Sequence, residues 1–520
     1  MYDPVYNTGM SDSSVVYIDD NKIQIWFPFS YQTLGLVRDI PDASFDRPNK
    51  YWWTPATPFH ADKVIETLGS DRFYIGEDVY KLAQGEKKVP EFPIDKRLYD
   101  YQKAGVKFIV KTGGRAVLAD AMGLGKTIIA LAFVNIGRGK TLVVSPANVI
   151  WKWKAEVGKW TDMSGEVIVT SKEPLPTADV HICSYDIMKR RADELAKIPY
   201  DTVIFDECHS IKSYKAQRTK AANSIIGSGI PHAMYLSGTP FLNRPDELFT
   251  VLNMLDPLSF PTFTKFAKRY LGAFWDDYDK QWYFPNTLTN MEELRERLKT
   301  VMIRRTKQEV LPELPDKVRT IVPVDIPMAE YNAVRKELRG KVNRANALVM
   351  MTALRQVVGR EKVKPAVSLV EDLLQDDEQV VIFVHHKEVA GAMRSALSEY
   401  KVGMIVGDTS PKVRQRVVDE FLNKDLDIVI ISVAGAEGID LYSASNIVFV
   451  EREWVPAKEE QAEDRLHRIG QKNSVTCYYI AARNTIDERL AKIVQTKRET
   501  FGQVVSQDEI VTEILDYLGE

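Results

Sequence analysis

Two kinds of hydrophobic pattern alternate along most of the chain. Short runs rich in β-branched residues at 141–145, 166–170, 180–184, 202–206 and 233–237 are separated by stretches with helical apolar spacing. Runs that are apolar at nearly every position, alternating with helices, predict a parallel sheet covered on both faces. A second series follows Pro315, at 379–384, 402–406, 427–432, 446–450 and 475–480, with helices expected at 411–422 and 458–467. Two α/β lobes are expected. Between them, 241–316 is aromatic and helical in character, reads without strands, and carries Met302-Ile-Arg-Arg-Thr-Lys307. It is expected to cap or bridge the lobes.

The first part of the chain has another rhythm. Alternation at 22–29, a helix at 31–37, an aromatic strand at 50–54 and a helix at 59–68 predict a small α+β module. The charged, proline-bearing stretch 84–96 reads as a linker, and 506–518 as a closing amphipathic helix with Ser506 and Glu509 at capping-box spacing. The resulting division is 1–92 (module), 93–315 (first lobe, with a helical extension at 241–315) and 316–520 (second lobe).

Composition narrows the class without deciding it. A chain of 520 residues is long enough for about three or four domains, and 45% hydrophobic residues predict a packed interior. The net charge of −3 means that any nucleic-acid binding must come from local clusters. No apolar run approaches the roughly 18 residues of a membrane span, so a soluble, cytoplasmic protein is expected. Cys183, Cys208 and Cys477 lie far apart, which disfavours a disulfide framework or a zinc site.

The candidate chemistry begins at 116–119, which predicts a buried strand, with Thr127 opening a helical segment. The loop Asp120-Ala-Met122-Gly123-Leu124-Gly125-Lys126-Thr127 joins them. Such a loop turns backbone N–H groups and the positive helix end toward one place. A polyphosphate can sit there, with Lys126 as point charge and Thr127 as magnesium ligand. The general phosphate-loop pattern has Gly where this chain has Asp120, so the loop alone also fits an ordinary glycine turn.

Asp206 and Glu207 stand where another predicted strand ends. Ligands of open parallel sheets collect at the carboxyl ends of strands, so these carboxylates are expected to face the loop. Asp206 suits a magnesium ion held through water, and Glu207 the orientation of an attacking water. Arg465 and Arg468 fall on the predicted helix, where residues three apart share a face that could meet a transferring phosphoryl group. A solvated face paired with Glu463 and Asp464 is the plain alternative.

Taken together, Tyr101-Gln102, Asp120 to Thr127, Ser145-Pro146, Asp206-Glu-Cys-His209, Leu236-Ser-Gly-Thr-Pro240, Met302 to Lys307 and Gln461 to Gln471 occur in the order of superfamily-two helicase-like ATPases. The chain most resembles the Swi/Snf (Snf-two) branch of DNA translocases, over about 98–500. In that branch Asp120 is the usual residue at its place. The resemblance implies two tandem RecA-like lobes, ATP and Mg2+ as cofactors, and Gln102 reading adenine. It also implies Ser237 and Thr239 coupling hydrolysis to movement, Gly438 and Asp440 near the nucleotide and lobe interface, and Arg465 and Arg468 as arginine fingers. Cys208 stands where the branch has Ala or Ser, and 434–440 is a loose version of its motif.

Val448-Phe-Val-Glu-Arg-Glu-Trp-Val-Pro456 looks closest to the annealing-helicase group, and 23–68 is similar to its HARP module. The expected partner is DNA, duplex or branched, gripped by a monomeric motor in the cytoplasm, at the nucleoid of a bacterial or phage-infected cell. Expected contacts are Ser145, Ser184, Tyr185, Lys212, Gly238, Thr239, Arg304, Arg305 and His386, with Trp52 and Trp53 stacking on unpaired bases. A strand-separating helicase, a remodeller of protein–DNA complexes and a non-hydrolysing clamp share parts of this pattern.

Overall fold

The computed structural model describes residues 14–70, 72–84, 92–238, 245–285, 287–339, 347–375, 378–433, 435, 438–453, 456–489 and 491. The expected closing helix, Thr239, most of the linker and part of 434–440 lie outside the described residues.

The N-terminal module is a five-stranded sheet in the order Ser44–Asp46, Tyr51–Pro55, Lys22–Trp26, Val15–Asp19, Tyr74–Ile75. Alternation along Lys22–Trp26 sends Ile23 and Ile25 into a core with Val16, Val37, Val64, Leu68 and Val79. The helix Pro58–Leu68 starts where Thr57 accepts from the His60 amide at 3.3 Å with Pro58 in the first turn.

Seven parallel strands form the first lobe's sheet, ordered Met302–Ile303, Arg115–Leu118, His232–Leu236, Thr202–Asp206, Thr141–Ser145, Val180–Ser184, Gly165–Ile168. Successive residues of a strand enter opposite cores. Val203 and Phe205 pack with Met188, Ala222 and Leu252, while Ile204 packs with Val106, Ile129 and Trp153. The second lobe repeats this with six parallel strands: Lys317–Val324, Val475–Ala482, Asn446–Phe449, Val380–Val384, Ile428–Ser432, Val402–Ile405. Phe383 and Ile431 serve one face there, and Ile382 and Ile430 the other. The α/β reading of both lobes and the small α+β module is thus the observed architecture.

Two expectations are corrected. The extension is not free of strands: Phe274–Asp276 and Gln281–Tyr283 form an antiparallel hairpin, and Met302–Ile303 joins the sheet edge. The hairpin turn is built by the Asp276 carboxylate, which accepts from the amides of Tyr278 at 2.7 Å and Asp279 at 3.1 Å. Cross-strand aromatic pairs, Phe274 with Tyr283 and Trp275 with Trp282, hold its arms together. The helix expected to reach His467 ends at Glu463, because the Arg465 carbonyl accepts from Leu441 at 2.9 Å instead of continuing a helical ladder.

The module is joined to the first lobe by a buried charge. Arg297, on the helix Met291–Lys299, is 4% exposed and lies 2.7 Å from the Asp42 carboxylate. Its guanidinium also donates to the Tyr270 hydroxyl at 2.8 Å and the Ser259 carbonyl at 2.9 Å, between the rings of Phe59 and Phe260. His60 donates from Nε2 to Asp42 at 3.1 Å, which leaves Nδ1 to accept from the Thr57 hydroxyl.

Burial raises the Asp42 carboxyl, yet the His60 hydrogen bond and the Arg297 charge outweigh it and hold it below its usual value. Burial holds the His60 imidazole below its ordinary 6.5. Both shifts make the unfolded state the better proton binder, so these groups favour the folded state most above 6.5, and that contribution is lost as pH falls through that value and then through the carboxylate range. We expect Arg297→Met to weaken docking by about 1.5 to 3 kcal/mol, since it removes a charged hydrogen bond from the half-buried Asp42, which keeps His60 as its partner. Faster amide exchange across 42–68 at pH 7.5, converging with the unsubstituted protein as pH is lowered, would be the sign.

Candidate nucleotide site between the lobes

The loop after Arg115–Leu118 is pinned before it turns. Asp120 is fully buried, and its carboxylate accepts from Arg305 Nε at 3.0 Å. The Ala121 amide donates to the Arg305 carbonyl at 2.9 Å. Arg305, expected at the nucleic acid, is thereby corrected to an internal brace, since its guanidinium is spent on Asp120 and the Tyr101 carbonyl. Gly123 adopts φ 83°, and a Cβ there would come 3.2 Å from Cβ of Arg468, so both conformation and space select glycine. Lys126 opens the helix Lys126–Gly137 and donates to the Asp120 carbonyl at 2.8 Å. Met122, Leu124, Gly125 and the half-buried Thr127 complete the turn. Gln102 donates to the Leu124 carbonyl at 3.2 Å and accepts from the Tyr99 amide at 3.1 Å, so its amide supports the loop from below.

Asp206 closes the strand Thr202–Asp206, and Glu207 takes a left-handed φ of 47° just beyond it. Trp153 Nε1 donates to Asp206 Oδ2 at 2.8 Å, and the Tyr185 hydroxyl to the Asp206 carbonyl at 2.7 Å. Burial, then the neighbouring Glu207 charge, pushes the Asp206 carboxyl up to about 6. Glu207 is also raised by burial, but hydrogen bonding and charge from His209 and the Lys126 ammonium bring it below its ordinary value. Burial lowers Lys126, against the pull of Glu207 and Asp120.

The second lobe supplies the opposite wall. Arg465 is 8% exposed, and its Nε has no partner among the described residues. Its charge acts on Glu207 across the cleft. Arg468 pairs with Asp440, which in turn lies 3.2 Å from Lys152 Nζ of the first lobe. Gly438, at φ 73°, takes a conformation and a place no other residue would fit, because a Cβ there would come 2.3 Å from Cγ1 of Val149. Lys307 reaches Asp464 at 3.0 Å and the His467 carbonyl. The cleft therefore brings together the loop amides with Lys126, the carboxylates of Asp206 and Glu207, and the guanidiniums of Arg465 and Arg468. Such a set can hold a polyphosphate with its counter-ion and stabilise charge that develops on a transferred phosphoryl group. An arginine buried with an unpartnered Nε fits an anion at this place.

The remaining expected contacts separate. Lys212 and Arg304 are exposed, although Lys212 pairs with Glu247 at 2.8 Å. Ser145 and Tyr185 are buried, and Ser184 caps the helix Tyr185–Arg190, so these side chains face the interior instead of a ligand. Gly238 abuts Met122 and Lys126 of the 120–127 loop, and Ser237 beside it is buried. His386 Nδ1 meets the Glu451 carboxylate at 2.6 Å. Trp53 lies 4.9 Å beneath Lys22, while Trp52 packs on Phe45 and toward the module core. Trp153, Lys152 and Val149 were not anticipated. They form one helix start, whose only mark in the sequence is the Ser145-Pro146 run before it.

Residues 101–369 match the SNF2-related domain, and residues 362–470 the helicase conserved C-terminal domain. The chain is 33% identical over 525 residues to a Caenorhabditis elegans SWI/SNF-related matrix-associated actin-dependent regulator of chromatin subfamily A-like protein 1 homolog, covering 94% of this chain and 75% of that one. It is 33% identical over 439 residues to the human DNA annealing helicase and endonuclease ZRANB3, covering 79% of this chain and 40% of the relative. The Drosophila melanogaster SWI/SNF-related A-like protein 1 is 32% identical over 463 residues, and 59% of it is covered. The chain thus spans three quarters of the nematode relative but less than half of the human one. It belongs to the SNF2-related family of helicase-like ATPases.

Proposed function

We propose that the chain is a DNA-stimulated ATP hydrolase that moves along duplex DNA and anneals or remodels branched DNA. The observation that carries this reading is the meeting of Arg465 and Arg468 from one lobe with Lys126, Asp206 and Glu207 from the other. In this reading 1–92 recognises the substrate, 93–315 binds ATP, and 316–520 delivers the arginines and closes on the nucleotide. The names of the relatives, DNA annealing helicase among them, agree with it.

Lys126 and the loop amides of Gly123 and Gly125 hold the phosphates. A magnesium ion held by Thr127 and, through water, by Asp206 would neutralise charge on the phosphates and align them. Glu207, kept ionised by His209 and Lys126, orients the attacking water. Arg465 and Arg468 meet the spreading negative charge. Hydrolysis then depends on lobe closure, and repeated closing and opening advances the grip on the phosphate backbone. Lys212 and Arg304 are its exposed cationic contacts, and the contacts are salt-sensitive and sequence-independent. Among the described residues no helix is long and apolar enough to cross a membrane; association with the nucleoid would follow from DNA binding.

A second reading, strand separation, is favoured by the hairpin Phe274–Asp276 with Gln281–Tyr283, whose tip residue Tyr278 is 94% exposed. Its acids Asp276, Asp277 and Asp279 oppose phosphate contact, which places this reading second.

Duplex and forked DNA should each raise ATP turnover, and Lys126→Ala should abolish it in a phosphate-release assay. Turnover that ignores every form of DNA would sink the motor reading. Arg468→Ala should reduce DNA-stimulated kcat by roughly a thousandfold while leaving binding of a fluorescent ATP analogue within about threefold. A fork-unwinding assay run beside a reannealing assay decides between the two readings, and Tyr278→Ala should impair only the former if the hairpin is a wedge.

A further inference from the structure

The segment that joins the lobes is held in place before it crosses. Its strand Met302–Ile303 pairs with Val117 and Leu118, and Arg305 is spent on Asp120 and the Tyr101 carbonyl. Thr306 then caps the short helix Lys307–Val310. Its hydroxyl accepts from the Glu309 amide at 3.4 Å, and the Glu309 carboxylate accepts from the Thr306 amide at 2.6 Å. Lys307 therefore leaves a fixed backbone. Its side chain is buried, and a Cβ at Gly123 of the 120–127 loop would lie 3.7 Å from its Cε.

From there the ammonium reaches the stretch of the second lobe that carries both arginines. Nζ lies 3.0 Å from Asp464 Oδ1 and donates to the His467 carbonyl. The same stretch is fastened again farther along the joining segment. His467 Nε2 donates to the Pro315 carbonyl at 2.7 Å, and Lys317 Nζ lies 3.0 Å from Asp464 and 2.7 Å from Glu463. Arg468 follows directly on the His467 carbonyl, and its Cβ lies 3.2 Å from the place a Cβ at Gly123 would take. Lys307 thus touches the loop and the arginine-bearing stretch at once.

We propose that Lys307 is a positioning residue for ATP hydrolysis: by gripping Asp464 and the His467 carbonyl from beside the 120–127 loop, it sets where Arg468 stands over that loop. This rests on the reading of the chain as an ATP hydrolase. The grip needs the charge, since a neutral amine bonds a carboxylate far more weakly than an ammonium does. Facing Lys307 are Asp464, His467 and Arg468 from the second lobe and Lys317 from the joining segment. The loop meets it at the uncharged Gly123, with Lys126 farther along. Burial brings Lys307 down to about 8 against the pull of Asp464, and Lys317 and Arg468 repel it further. Burial, then the Lys307 charge, holds His467 below its ordinary value, so the imidazole adds no charge there. Burial lowers Lys317 too, but Asp464 and Glu463 outweigh it and hold Lys317 above its ordinary value. The grip of Lys307 is therefore full at neutral pH and lost as pH rises through about 8, while that of Lys317 stays.

The test uses the full chain with Lys307→Met and Lys307→Arg. Asp464 keeps Lys317 in both variants, so neither strands a carboxylate. At pH 7.5 we expect Lys307→Met to lose about a hundredfold in DNA-stimulated kcat, with KM for ATP within about twofold, and Lys307→Arg to restore most of the loss. In the unsubstituted chain kcat/KM, which reports the free enzyme, should fall as pH rises above about 8. Burial lowers Lys126 and Lys152 as well, so the fall is assigned by Lys307→Arg, in which it should move to higher pH. Amide exchange across 464–471 without ligands should quicken in Lys307→Met alone. An unchanged kcat in Lys307→Met, a rise in KM in its place, an equal loss in both variants, or an alkaline fall at the same pH in Lys307→Arg would overturn the proposal. If the unsubstituted chain hydrolyses no ATP, the enzyme reading fails, and the exchange still judges the grip: equal exchange in Lys307→Met and the unsubstituted chain would remove it.

Discussion

Charge buried between two lobes is the constraint on which the rest of this structure depends. Lys126, Lys152, Lys307, Arg465 and Arg468 converge on Asp120, Asp206, Glu207, Asp440 and Asp464 at one cleft. Removing such charges from water is costly unless each meets an opposite charge or a well-placed dipole. Neither lobe carries the balance alone: Asp440 draws on Lys152 from the first, and Lys307 on Asp464 from the second. The adjacent Asp206 and Glu207 show how finely the balance is kept. One carboxyl is driven up to about 6 by burial and its neighbour, while the other is held low by His209 and Lys126. An anion entering the cleft would change the balance of every pair within reach.

The parallel sheets exist to bring these groups to one level. Strands ending at Leu118 and Asp206 are separated by the strand His232–Leu236, so the 120–127 loop and the carboxylate pair open on the same side of the sheet. The near-continuous apolar runs that build them were legible because burial on both faces leaves no polar position, as Val203, Ile204 and Phe205 illustrate by entering two cores in turn. The helix Pro411–Leu422 was legible to the residue, since Ser410 and Pro411 mark its start.

What escaped the sequence was long-range or very short. Met302–Ile303 is too brief to show periodicity, and its partner strand lies far back in the chain. Lys317–Val324 is largely exposed and its apolar residues do not alternate cleanly, yet it holds full register with Val475–Ala482 and is fastened by Arg319 to Glu463. Asp120 looked like a ligand-side residue because it sits in the loop, but its role in the fold is set by Arg305, which no local pattern reveals. The helix end at Glu463 was missed because a tertiary bond from Leu441 overrides local propensity. Likewise nothing in the first hundred residues foretold that Asp42 would seek Arg297.

The short strand Met302–Ile303 also has a mechanical meaning. The chain leaves the first lobe through it, passes Arg305, and reaches the second lobe at Lys307 within one turn. The connection between lobes is thus laced to the 120–127 loop by the Ala121 amide and the Asp120 carboxylate. It is a tendon, not a slack tether. A rotation of one lobe against the other would pull directly on the loop through these two bonds.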